Sequence, residues 1–161
     1  MRKKIIALAL LLTPFASNAN EALSAQDLAV LCKHDLLSAK IIIVNETRDG
    51  YALAKLLLKR GSACNSEGEV DFYSAVVGSR IGDFDYGSSN FVTLMRKSAG
   101  SGYPLAIAQL HKLGTEGYTN LGGDPNYYKK LFEEEKNKNK DDYPEFDVCL
   151  HVLKKMLRNG H

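Results

Sequence analysis

Gly50-Tyr51-Ala52-Leu53-Ala54, with Leu58 one turn further on, recurs as Gly102-Tyr103-Pro104-Leu105-Ala106 with Leu110, an offset of 52 residues. Downstream, Glu69-Val70-Asp71-Phe72-Tyr73 with Val76-Val77 is echoed at an offset of 55 by Asp124-Pro125-Asn126-Tyr127-Tyr128 with Leu131-Phe132. The second copy therefore carries a loop three residues longer. Two blocks in the same order, at a period of this size, point to duplicated helical hairpins. Chance matching of common Gly, Ala and Leu is the competing account.

Each block reads as helix. Leu53, Leu56, Leu57 and Arg60 follow the spacing of one helical face, with Ala54 small enough to admit a neighbour. Leu105 or Ala106, Ala108 or Gln109, Leu110 and Leu113 repeat it. Gly61 and Gly114 are expected to stop these helices, and an acidic residue then opens the next. Ser24-Ala25-Gln26-Asp27 has the form of a capping box, followed by an apolar stripe of Leu28, Leu31, Cys32 and Leu36. A helix from about Ser24 to about Val44 follows, although the β-branched run within Ala39 to Val44 leaves a strand open. Asn90 is expected to cap a helix carrying Phe91, Leu94 and Met95, and Pro144 to begin the last, with Phe146, Cys149, Leu150, Leu153 and Leu157 on one face. The expected fold is all-α: a short right-handed solenoid of antiparallel helical hairpins, repeat-like units at about 39–77 and 91–132, and a flanking C-terminal helix.

The first nineteen residues read separately. Arg2, Lys3 and Lys4 precede the apolar run Ile5 to Leu12, and Ser17-Asn18-Ala19 supplies small residues for cleavage. The run is too short to span a bilayer, so residues 1–19 are expected to be a cleavable signal peptide and 20–161 a single domain. An anchoring helix is the competing reading. Removing three of the 21 basic residues leaves 18 against 19 acidic, net minus one. Nothing in that balance suits nucleic acid, and no later stretch is apolar enough to insert in a membrane. A periplasmic location is expected.

Ala99, Gly102, Ala106, Leu110 and Gly117, followed by Asp124, resemble the Sel-one-like repeat, a relative of the tetratricopeptide repeat. The likeness covers Asn90 to Phe132 best and Ala39 to Val77 more faintly; His111 and Gly114 depart from the pattern. It implies a scaffold that binds other proteins through a concave face, with no catalytic residue to carry over.

An odd number of cysteines in an oxidising compartment suggests one pair and one free thiol. A hairpin turning near Thr47 to Gly50 places Cys32 and Cys64 at the same end, so a Cys32–Cys64 disulfide is expected, with Cys149 on an apolar stripe as a buried thiol. Pairing of Cys149 with either other cysteine stays open.

The sequence carries no recognisable catalytic or metal-binding pattern. Histidines 34, 111, 151 and 161 lack metal-ligand spacing, and Cys149 with His151 is too close in sequence for a nucleophile and its base. Gly78-Ser79-Arg80-Ile81-Gly82 lacks the Lys and Ser/Thr of a phosphate loop. Neither an enzyme, a metal nor a cofactor is expected.

Two loops carry the binding expectation. Asp83, Phe84, Asp85 and Tyr86 place two acids and two aromatics on a Gly-bounded segment, and Tyr118 lies in the second loop, Glu116 to Gly123. Exposed aromatic anchors of this kind suit protein interfaces. The alternatives are that Phe84 and Tyr86 fold back to seal the gap between hairpins, and that the second loop is only a connector. The expected function is a non-catalytic, exported protein-binding module, an adaptor or assembly factor for an envelope protein. The alternative is an immunity protein that blocks a secreted toxin or cell-wall hydrolase.

Overall fold

In the computed structural model, residues 24–45, 49–63, 68–118, 124–139 and 141–157 are described. They form seven α-helices and no strand: α1 (Ala25–Val44), α2 (Gly50–Gly61), α3 (Glu69–Ile81), α4 (Ser89–Gly100), α5 (Pro104–Thr115), α6 (Pro125–Lys138) and α7 (Phe146–Leu157). The all-α class follows directly. Residues 1–19, Cys64 and 119–123 lie outside the described residues, and with them the leader, one half of the expected disulfide and most of the second loop.

Local chemistry sets the helix starts. The Ser24 hydroxyl accepts from the Asp27 N–H at 3.1 Å and the Asp27 carboxylate accepts from the Ser24 N–H at 3.2 Å, completing the capping box. Ser88, not Asn90, caps α4 by accepting from the Phe91 N–H. Its backbone is extended, as an N-cap requires, whereas Asn90 is already helical. Asp124 caps α6, accepting from the Asn126 N–H at 2.9 Å, with Pro125 in the first helical turn. Pro144 lies two residues before α7 rather than inside it.

Each helix packs on the next from α1 to α6, α1 also touches α3, and α7 returns to α5. Phe72, Phe91, Met95, Ile107, Leu110, Phe132 and Leu153 are completely buried in one continuous core. Each such side chain stabilises the fold by about 1.5–3 kcal/mol over an exposed one. Ion pairs tie the elements at their edges: Asp35 with Arg60 at 2.9 Å, Lys40 with Glu69 at 2.5 Å, and Asp71 with Lys97 at 2.9 Å.

One helix, α2, turns a different face inward from the one expected, and α1 buries only half of its expected stripe. In α2 the buried residues are Tyr51, Ala54, Leu58 and Gly61, while Leu53 and Leu56 are exposed. The reason is proximity: a side chain at Gly61 would meet the Cys32 carbonyl at 3.8 Å and the Leu36 nitrogen at 4.0 Å. Only the face carrying small residues lets α1 come so close. In α1 the expected stripe splits: Cys32 and Leu36 face the core together with Ala39 and Ile43, while Leu28 and Leu31 are exposed. Gly114 does not end α5 but is buried inside it.

Candidate functional site

A groove of about 1020 Å³ opens between the last turns of α3, the α3–α4 loop, α5 and α7. Leu150, Leu153 and Leu157 of α7 supply its apolar side. Arg80 of α3, His111 and Lys112 of α5, and Lys154 of α7 supply basic groups, with Asp85 and Glu116 as acids. Tyr86 and Tyr118 complete the rim. Three of the five residues expected to bind a partner, Asp85, Tyr86 and Tyr118, are thus brought together here.

Tyr86 organises this rim. Its ring lies 5.0 Å from Phe91 and 6.0 Å from Tyr118, edge-on to the latter. Its hydroxyl accepts from Gln109 Nε2 at 2.7 Å and from Lys112 Nζ at 3.3 Å. Burial pushes the Tyr86 hydroxyl above the ordinary tyrosine range, while Gln109 and Lys112 pull it back. Lys112 also sits 5.7 Å from the Tyr86 ring centre and 2.6 Å from Glu116. Desolvation works against the Lys112 charge, yet Glu116 and Tyr86 hold its pKa above the usual lysine value. The ammonium is therefore fixed and charged at neutral pH.

The ring of Tyr118 lies over Gly87, where a Cβ would fall 2.7 Å from Cε1. Phe84 covers Gly78 in the same manner, with a Cβ there 2.3 Å from its Cζ. Phe84 and Tyr86 are half-buried against the core, so this loop seals the α3–α4 junction instead of projecting from it. Asp83 is not at the groove; it pairs with Lys55 of α2 at 2.5 Å. Arg80 reaches across the groove and donates from Nη2 to the Met156 carbonyl, joining α3 to α7.

His111 is held in place, its Nδ1 at 2.8 Å from the Pro125 carbonyl and its ring edge-on to Phe146 at 5.1 Å. Cys149 is a buried free thiol whose pKa burial pushes up to about 11. Such a thiol stays protonated and unreactive at neutral pH. Among the described residues no group of three or more His, Cys, Asp or Glu could hold a metal ion, and no helix is long and apolar enough to cross a membrane.

A second polar cluster joins α1 and α3 to the residue that precedes α5. Lys40 of α1 and the hydroxyl of Tyr103, which precedes α5, both donate to Glu69 Oε1 of α3, at 2.5 and 3.4 Å. Lys40 Nζ also lies 5.8 Å from the Tyr73 ring centre. Burial drives the Tyr103 hydroxyl far above its usual range, as suits a neutral donor locked inside a fold.

Sequence reasoning missed Arg80, Gln109 and Lys112. The available signal was Gln109, a polar residue at a position where the repeated face is otherwise apolar. No family model, curated protein or solved structure matches the chain.

Proposed function

We propose that the chain is an exported, non-catalytic protein-binding module that holds a segment of a partner protein in the groove between α3, α5 and α7. The observation that carries this reading is the composition of the groove. A leucine side, a tyrosine pair and a rim of both charges reproduce the apolar core and polar rim of protein interfaces. The inward packing of Phe84 and Tyr86 favours an adaptor over an inhibitor acting through a projecting loop. The helix-on-next-helix order suits a short right-handed solenoid of antiparallel hairpins related to Sel-one-like repeats, with residues 1–19 directing export to the periplasm.

A Cys32–Cys64 disulfide belongs to the same reading. Gly61, three residues before Cys64, lies against the Cys32 backbone, and Cys149 is free. Closing a loop of this length stabilises the fold by about 3–4 kcal/mol on the chain-entropy model.

The test is site-specific photo-crosslinking in the source organism, with the reactive group at Tyr118 or Thr115 and a control at Lys130 on the exposed side of α6. One dominant adduct from the groove positions in the envelope fraction, absent at Lys130 and lost in Lys112→Glu, is the expected result. Equal labelling from all three positions, or none from the groove, would overturn it.

A further inference from the structure

The three walls of the groove are not anchored alike. α3 and α5 each bury seven residues, whereas α7 buries two, Cys149 and Leu153. α7 packs mainly on α5, and its Leu150, Met156 and Leu157 are only half-buried. The two ends of α7 also differ. At its start the Phe146 ring lies 4.9 Å from Phe132 and 5.1 Å from His111. Just before it, Tyr143 lies 5.0 Å from Phe132, and its hydroxyl donates to the Gly102 carbonyl at 2.9 Å. At the other end the last carbonyls of the helix have no partner within it. Among the described residues, the side chain that reaches them is Arg80, which donates to the Met156 carbonyl. The groove of about 1020 Å³ lies beside this end, so α3 does not pack against it.

We infer that α7 is a strap that opens as a unit about its Tyr143–Phe146 anchor, with Arg80 as the latch on its free end. An element with few buried contacts opens at a lower free energy than the core it rests on. Arg80 suits the latch because its guanidinium is always charged and its long side chain is rooted in α3, which the core holds on several sides. A hydrogen bond from a charged group to a carbonyl shifts such an opening equilibrium by about 10- to 100-fold. The charged pair on the opposite wall, Lys112 with Glu116, is bound to Tyr86 and not to α7. Opening therefore leaves that wall intact. The motion belongs to the chain itself, whatever the groove binds.

Cys149 reports the motion, because its free thiol faces the core from α7 and becomes reachable when the helix lifts. The test is labelling of the whole native chain with limiting N-ethylmaleimide, followed at the Cys149 peptide by mass, from zero to about 2 M urea. The expected result is labelling through an opening whose urea slope is under about half that of global unfolding. Arg80→Met should speed it about 10- to 100-fold in the absence of urea. Lys97→Met, which removes the ion pair with Asp71 between α3 and α4, should leave the rate within about twofold. A slope equal to that of global unfolding, measured on the unaltered chain, overturns the inference. So does a rate indifferent to Arg80→Met, or one that Lys97→Met raises as much.

Discussion

The α2–α3 pair and the α5–α6 pair carry the same sequence motif and bury it differently. Ala54 and Ala106 are both fully buried, Leu58 and Leu110 are both core, and Gly61 and Gly114 are both points of close approach. The second halves diverge. Phe72, Tyr73, Val76 and Val77 of α3 are all buried, whereas in α6 only the equivalents Tyr128 and Phe132 are, and Tyr127 is 59% exposed. Position in the stack accounts for this. α3 has α2 on one side and α4 on the other, while α6 packs mainly on α5. A repeated pattern specifies a helix with an apolar face, and the number of neighbours decides how much of that face is covered.

The sharpest way to break this comparison is to truncate equivalent residues. Phe72→Ala removes a fully buried ring that packs on Tyr73 and Tyr103, and should cost about 3–5 kcal/mol in urea unfolding. Its counterpart Tyr127→Ala loses one edge-on contact with Tyr128 and should cost under about 1 kcal/mol. Equal losses would mean that α6 is buried as deeply as α3.

The helix starts give the next contrast. Gly68 precedes α3 with φ of +84°, and a Cβ there would lie 2.5 Å from the Ser98 carbonyl oxygen. Strain and clash act together, so Gly68→Ala should cost about 2–4 kcal/mol. Asp124, at the same place before α6, has extended backbone and contributes one cap bond. Asp124→Ala should cost about 1 kcal/mol by the same measurement. A Gly68→Ala variant no weaker than Asp124→Ala would remove the α3–α4 contact from the argument.

These contrasts also mark where the sequence was legible. Asp124 was expected only to open its helix, and the structure makes it the cap. The capping box at Ser24 depends on neighbours within a few residues and was readable. The face that α2 turns inward was not, because α2 carries two helical stripes. Leu53, Leu56 and Arg60 make one; Tyr51, Ala54, Leu58 and Gly61 make the other. The first has the larger aliphatic side chains but also the charged Arg60; the second has no charge and lets α1 approach, and close packing decided. At the groove, Asp85, Tyr86 and Tyr118 stood out as aromatic and acidic loop residues. Arg80 and Lys112 look in sequence like ordinary solvated helix positions. Their roles depend on Met156 and Tyr86, which are far away in the chain.

The finest test concerns the two matched glycines. At Gly114 a Cβ would sit 3.1–3.3 Å from the Pro125 ring, which the first turn of α6 holds in place. At Gly61 the nearest atoms are 3.8 and 4.0 Å away, ordinary contact distance. Gly→Ala within a helix gains up to about 1 kcal/mol, and less in the last turn. Gly61→Ala should therefore be neutral or stabilising by up to about 0.5 kcal/mol, while Gly114→Ala should lose about 1 kcal/mol to the displaced proline. A gain at both positions would show that α6 yields where α5 presses on it, and that the closeness of the second pair is not a requirement of the fold.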